Sequence, residues 1–324
     1  MTSNFKAYLM LVMATFFWAG NFAIGKFAFL EDIPPYSLTF FRWLTVWLIL
    51  FPFTYKEILK NKNDIFNSLP LLFFLGLMTI GLFVPFVYIA LKTSTVINVT
   101  LLNTAIPAAI ILFCFIFKFE KSNAFQLSGL LISTLGVLVI ITRSDFNVLL
   151  NLDFNIGDIW MIGAVICWGL YSTFLKKLKL KISLFSTVQV VCTCGLLFAF
   201  PQFLYEYNQG FVVNINKAFL FCIIYTAIFP SIVSYSCWTG AISIIGANRS
   251  GIFVSLIPLF GTGMAIFFFN EEFKFYHLIA SILIIIGLFL SNKKISNVKS
   301  SVSYTHLRAH ETEADLVCRL LLEK

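Results

Sequence analysis

The stretch IPAAIILFCFIFKFEK, Ile106 to Lys121, is written a second time as IPLFGTGMAIFFFNEE, Ile257 to Glu272. In both, Ile-Pro opens an apolar run, and a glutamate, Glu120 or Glu271, closes it at the same distance from the proline. The register that lays Pro107 on Pro258 also lays Ala90 on Ala241 and Gly136 on Gly287. Agreement of Pro, Glu, Ala and Gly at one register, in segments flanked alike, marks a duplicated unit.

What kind of unit follows from composition. Of the 324 residues 59% are hydrophobic and only 12% charged, against about 25% charged in soluble domains. Apolar runs of about 20 residues, long enough to cross a ~30 Å hydrocarbon layer as helices, recur between short polar breaks. They are centred near residues 18, 46, 79, 107, 133, 166, 193, 228, 258 and 283. Barrel strands would be about half as long and would alternate in polarity. The expected fold class is therefore an all-α polytopic membrane protein with ten transmembrane helices. The first run, Ala7 to Leu30, is too long for a secretory h-region and lacks a small-x-small cleavage site, so it is kept as a span.

A net charge of +8 suggests a nucleic-acid partner only until the charges are located. Lysines crowd alternate connections, as in Lys56, Lys60 and Lys62 and again in Lys176, Lys177, Lys179 and Lys181, whereas Lys26, Lys92, Lys217 and Lys274 stand singly on the others. Positive residues mark the cytoplasmic side, which places both termini there in a multi-pass protein of the cytoplasmic (inner) membrane. Membrane lipids and a small-molecule substrate are the expected partners, nucleic acid is not, and pairing with a second copy is left open. With five spans per copy, an odd number, the copies insert in opposite orientations as an inverted repeat. The expected domains are residues 1–145 and 146–299. Residues 300–324, without a single Phe in a chain that has 39, look like translated sequencing-adapter read-through and are set aside.

Seven cysteines, an odd number, argue against a disulfide framework, and six lie in apolar segments where a small core residue fits. No spacing suggests a metal site, and no cofactor is expected.

Candidate site residues come from helical spacing. Thr15, Trp18, Asn21 and Gly25 share one face of the first helix, and Trp168 and Tyr171 repeat that spacing in the sixth. These are either packing aromatics with an interface group or the wall of a cavity. Arg42, two turns into the second helix, is costly at that depth unless it snorkels or pairs; it reaches the outer interface or neighbouring carbonyls, or it attracts substrate. Tyr88 on the third helix, Asn103 with Pro107 on the fourth, Tyr235 and Trp238 on the eighth and Pro258 on the ninth complete the set. Pro107 and Pro258 each remove a backbone hydrogen bond near mid-span, and paired interruptions in two halves point to a transporter site. Arg249 is read either as a contact for anionic groups or as a headgroup or loop contact. Glu120 and Glu271 are read as structural helix ends.

Trp18-Ala19-Gly20-Asn21, Phe41-Arg42, Ala90-Leu91 leading to Pro107 and Glu120-Lys121, and then Pro258 with Glu271-Glu272, together resemble the drug/metabolite transporter superfamily, in particular its EamA-type ten-helix permeases. The resemblance covers residues 5 to 294. It implies a central cavity between the halves and export of amino acids or other small metabolites, and it leaves the substrate open. On that basis the cavity is expected between Trp18, Asn21, Tyr88 and Asn103 of one half and Trp168, Tyr171, Tyr235 and Trp238 of the other, with the halves rocking about the Pro107 and Pro258 level. Catalytic residues are not expected, because no Asp, Glu or His lies mid-span. A membrane-embedded sensor or partner subunit makes similar demands on sequence, and a lipid-modifying enzyme would need clustered acids or histidines at one face.

Overall fold

The computed structural model describes residues 3–94, 99, 102–142, 147, 156–269 and 274–292, and gives backbone alone at 140, 141, 262, 265–269 and 292. Every regular element among them is helical. In the first half α1 spans Ser3–Leu30, α2 Pro35–Lys60 and α3 Leu69–Thr93, followed by α4, Ile106–Ile116, and α5, Ala124–Thr142. In the second, α6 spans Ile156–Leu175, α7 Leu184–Asn208 and α8 Lys217–Ile245, followed by α9, Leu256–Phe269, and α10, Phe275–Asn292. Six of these, α1 to α3 and α6 to α8, are long and apolar enough to cross a membrane. The shortest of the six has 20 residues, about 30 Å at the helical rise, which matches the hydrocarbon thickness. The chain is a multi-pass membrane protein. Glu271 and the segment 300–324 lie outside the described residues.

Local chemistry sets the helix ends. Pro34 is extended, with ψ 145°, and Pro35 opens α2, where a missing N–H costs nothing and φ is already helical. Ser183 Oγ accepts from Ser186 N to start α7, and Asn216 Oδ1 accepts from Phe219 N to start α8. Asn123, just before α5, and Gln126 in its first turn exchange backbone-to-side-chain bonds, a reciprocal capping box. Pro107 and Pro258 are placed differently from the mid-helix breaks expected. Each falls within the first three residues of its helix, Pro107 after a turn at Thr104 and Ala105, Pro258 after the 3₁₀ turn Ile252–Ser255. The irregular backbone comes before the proline, which then restarts a regular helix.

The prolines that do disturb a helix are Pro85 and Pro230. A proline ring clashes with the carbonyl four residues back, and a π turn absorbs the clash. Accordingly α3 widens at Leu77–Phe83 and α8 at Ala227–Val233. The carbonyls so freed are both taken: Gln202 Nε2 donates to Gly81 O at 2.7 Å, and Ser231 Oγ donates to Thr226 O at 2.7 Å.

The halves interleave. Helix α1 packs chiefly on α8 and α9, α6 on α3 and α4, α2 on α7, and α5 on α10, so each helix buries its face mainly against the other copy. Small residues permit the closest approaches: a Cβ on Gly129 of α5 would lie 2.5 Å from Gly287 O of α10, and one on Gly76 of α3 would lie 2.6 Å from Gly195 N of α7. The α2–α7 pair is clamped at both ends. Glu206, late in α7, accepts from Ser37 N at 2.6 Å, Ser37 Oγ at 2.8 Å and Tyr36 N at 3.3 Å. Glu57, late in α2, accepts from Ser183 N at 2.8 Å, Ser183 Oγ at 2.6 Å and the Ser186 hydroxyl. A carboxylate at a helix N-terminus meets both free N–H groups and the positive end of the dipole.

Candidate functional site

Where the two halves meet, a cavity opens with about 500 Å³ of empty space, part of it continuous with the outside. Helix α1 contributes Trp18, Asn21 and Phe22, α2 contributes Arg42, α3 contributes Phe83, Val84, Val87 and Tyr88, and Trp168 and Tyr235 come from α6 and α8. Asn103, just before α4, and Ile106 at its start join Val254, in the 3₁₀ turn before α9, and Ile257 in the first turn of α9. Ile106 and Ile257 each precede a repeat proline. The backbone restart at those prolines thus presents the preceding isoleucine, and not the ring itself, to the space.

Aromatic rings form the floor. Trp18 and Trp168 meet edge to face with centroids 5.0 Å apart, and Tyr235 stands edge-on to both, at 6.0 and 5.5 Å. These T-shaped contacts are favoured by the ring quadrupoles and add about 0.5–1.5 kcal/mol per pair beyond area burial. Their polar edges differ. The Trp18 indole N–H donates to Pro230 O, inside the α8 π turn, at 2.9 Å, whereas the Trp168 indole nitrogen is buried with no partner.

Arg42 does not snorkel. It is 2% exposed, and its guanidinium is held by neutral oxygens: Nε donates to Ser231 Oγ at 2.6 Å, and one Nη donates to Tyr88 Oη at 2.9 Å and Asn21 Oδ1 at 3.2 Å. Ser231 passes the chain on to Thr226 O, so the carbonyl freed by Pro230 ends up orienting the arginine. The Trp43 ring centroid lies 5.4 Å from the guanidinium carbon, within cation–π range. Among the described residues the ion pair is Lys176–Glu120, at 2.5 Å; Arg42 has no carboxylate beside it.

Of the residues singled out in the sequence, Trp18, Asn21, Arg42, Tyr88, Asn103, Trp168 and Tyr235 converge on this cavity. Tyr171 instead lines a smaller space of about 260 Å³ with Trp43 and Thr79. Trp238 is fully buried behind Trp18 and Trp168 and donates to Ser172 Oγ at 3.3 Å. Pro107 and Pro258 are buried and do not line the cavity. Arg249 sits half-buried in the short helix Ala247–Gly251, away from the cavity. Glu120 accepts from Ala247 N at 3.0 Å and Asn248 N at 3.1 Å, capping that short helix. The sequence reading missed Ser231 and the apolar lining from Phe83, Val254 and Ile257. For Ser231 the signal is its place directly after Pro230. No group of three His, Cys, Asp or Glu among the described residues is placed to hold a metal ion.

The chain is similar to known proteins over nearly its whole length. A family model described as the EamA-like transporter family matches residues 5–142 and 155–293, one match per half. An uncharacterized transporter of Archaeoglobus fulgidus is 26% identical over 296 residues, spanning 90% of this chain and 99% of that protein. The uncharacterized transporter YyaM of Bacillus subtilis is 22% identical over 285 residues, spanning 88% and 93%. A crystal structure superposes with a TM-score of 0.73 at 15% identity, covering 93% of this chain and 99% of that one, a likeness of fold alone.

Proposed function

Since the chain belongs to the EamA-like transporter family, we propose that it moves small amphipathic or amino-acid-like metabolites across the cytoplasmic membrane, outward, by alternating access. The observation that carries this reading is the cavity between the two halves, to which both copies contribute matching residues: Trp18 with Trp168, Ile106 with Ile257 and Asn103 with Val254. A solute there touches both halves, and rocking one against the other exposes it to alternate faces. The proposal takes ten spans as two inverted five-helix repeats with both termini cytoplasmic, α4, α5, α9 and α10 being the spans beyond the six long ones. Aromatic walls with a few convergent polar groups are the ordinary make-up of a small-molecule site.

The test is flux. Purified protein in liposomes, offered a panel of labelled amino acids and small metabolites, is expected to give saturable transport of at least one. Asn21→Ala and Trp168→Ala, each expressed at the wild-type level, are expected to cut that flux at least tenfold. A folded protein that carries none of the panel, or unchanged kinetics in both variants, overturns the reading.

A further inference from the structure

We infer that the cavity selects solutes with a single negative charge, a carboxylate on an apolar body, in preference to zwitterions, neutral analogues or cations; this rests on the transporter reading only for its biological use. The first ground is charge balance. Arg42 is the charged residue of the cavity lining, it is almost wholly buried, and every partner it has is neutral. A guanidinium withdrawn from water without a counter-ion costs several kcal/mol. A monoanion cancels that charge. A zwitterion brings its own ammonium and leaves the site at +1, and a cation raises it to +2.

The second ground is the inventory of donors and acceptors. Trp168, whose residue lines the same space, carries a buried indole N–H with no acceptor, so a solute that reaches it meets a second donor beside Arg42. The oxygens of Asn21, Tyr88 and Ser231 are already accepting from Arg42. A carboxylate, acceptor only, satisfies donors without disturbing that network, whereas an ammonium, donor only, finds the oxygens around Arg42 already accepting and is left with Asn103. The third ground is the rest of the wall, where Val84, Val87, Ile106, Val254 and Ile257 give the body of the solute mainly apolar contacts.

A matched series separates charge from shape: 3-phenylpropionate, 3-phenylpropanamide, L-phenylalanine and 2-phenylethylamine share one aromatic body. Binding is read by quenching of indole fluorescence in purified protein, and flux by counterflow in liposomes. 3-Phenylpropionate is expected to bind at least tenfold more tightly than each of the other three. In Arg42→Gln that advantage over the amide falls below threefold, and Arg42→Lys keeps part of it. Trp168→Phe weakens the acid about threefold, at the size of one hydrogen bond, and leaves the amine unmoved. Equal Kd values for acid and amide, tighter binding of phenylalanine or the amine, or no binding by any of the four overturns the inference. Should Arg42→Gln fail to fold, the wild-type series still decides. Charge-selective binding without flux would instead remove the transporter reading and leave the selectivity standing, and saturable flux with no charge preference would do the reverse.

Discussion

The two halves of the molecule are alike where they hold the fold together and unlike where they face the cavity. Ser37, Pro52 and Glu57 of α2 recur as Ser186, Pro201 and Glu206 of α7, and the two glutamates make reciprocal clamps. The π turns of α3 and α8 are counterparts, each with its freed carbonyl satisfied by a side chain. At the cavity the matching positions part: Asn21 against Tyr171, Tyr88 against Trp238, and Arg42 against a stretch of α7 holding Val191 and Cys192. Even the shared tryptophans differ, one indole bonded and the other not. Duplication thus explains the scaffold, and divergence explains the chemistry. A symmetric cavity would present the same groups from both sides, whereas this one gathers its polar groups around Arg42.

The strongest challenge to the shared scaffold is steric. Gly129→Val drives a branched side chain at Gly287 O and at Ser291 N, 2.5 and 2.7 Å from the added Cβ; overpacking of rigid backbone costs about 3 kcal/mol or more, and loss of monodisperse protein in detergent is expected. Gly261→Ala, with nothing within 4 Å of its Cβ, is expected to elute and melt as wild type. Normal behaviour of the valine variant would show that α5 and α10 do not rely on this contact.

The two clamps look equivalent but are not equally wet. Glu206 is buried, and Glu57 is half-buried with its bonds reaching solvent. Glu206→Ala strands Tyr36 N, Ser37 N and Ser37 Oγ, an expected loss of about 2–3 kcal/mol, whereas water replaces Glu57 in Glu57→Ala at about 0.5–1 kcal/mol. A thermal shift at least twice as large for Glu206→Ala is the expected reading. Equal shifts would mean that the likeness of the two clamps extends to energetics.

How far the sequence reveals this depends on register. The step from Pro107 to Pro258 is 151 residues, from Trp18 to Trp168 150, and from Glu57 to Glu206 149. Reading at the first of these finds the duplication and the helices, because apolar length and repeated prolines survive small changes in loops. It misses the clamps, whose residues match only after a two-residue slip. The site was partly legible for a related reason. Trp18, Asn21, Tyr88 and Asn103 stand on helix faces that spacing alone defines, but whether Tyr171 or Tyr235 reaches the larger space depends on which helix of the other copy lies opposite. Arg42 was visible as an anomaly, and its orientation through Ser231 to Thr226 O was not, since that chain joins α2 to a backbone defect in α8.

The finest comparison is between the tryptophans. Trp18→Phe keeps an aromatic ring edge to face with Trp168 but removes the donor to Pro230 O, leaving a buried carbonyl in the α8 π turn without its partner. A net loss of about 1 kcal/mol follows from an intramolecular hydrogen bond of that kind. Trp168→Phe removes a donor that has no partner to lose, so stability is expected to hold or to rise by a few tenths of a kcal/mol, while solute binding weakens. The two variants should therefore separate, one moving the melting temperature and the other moving the Kd. Equal destabilisation by both would mean that the Trp168 N–H is bonded in the folded protein, and the difference between the halves would then reduce to Arg42 and its neighbours.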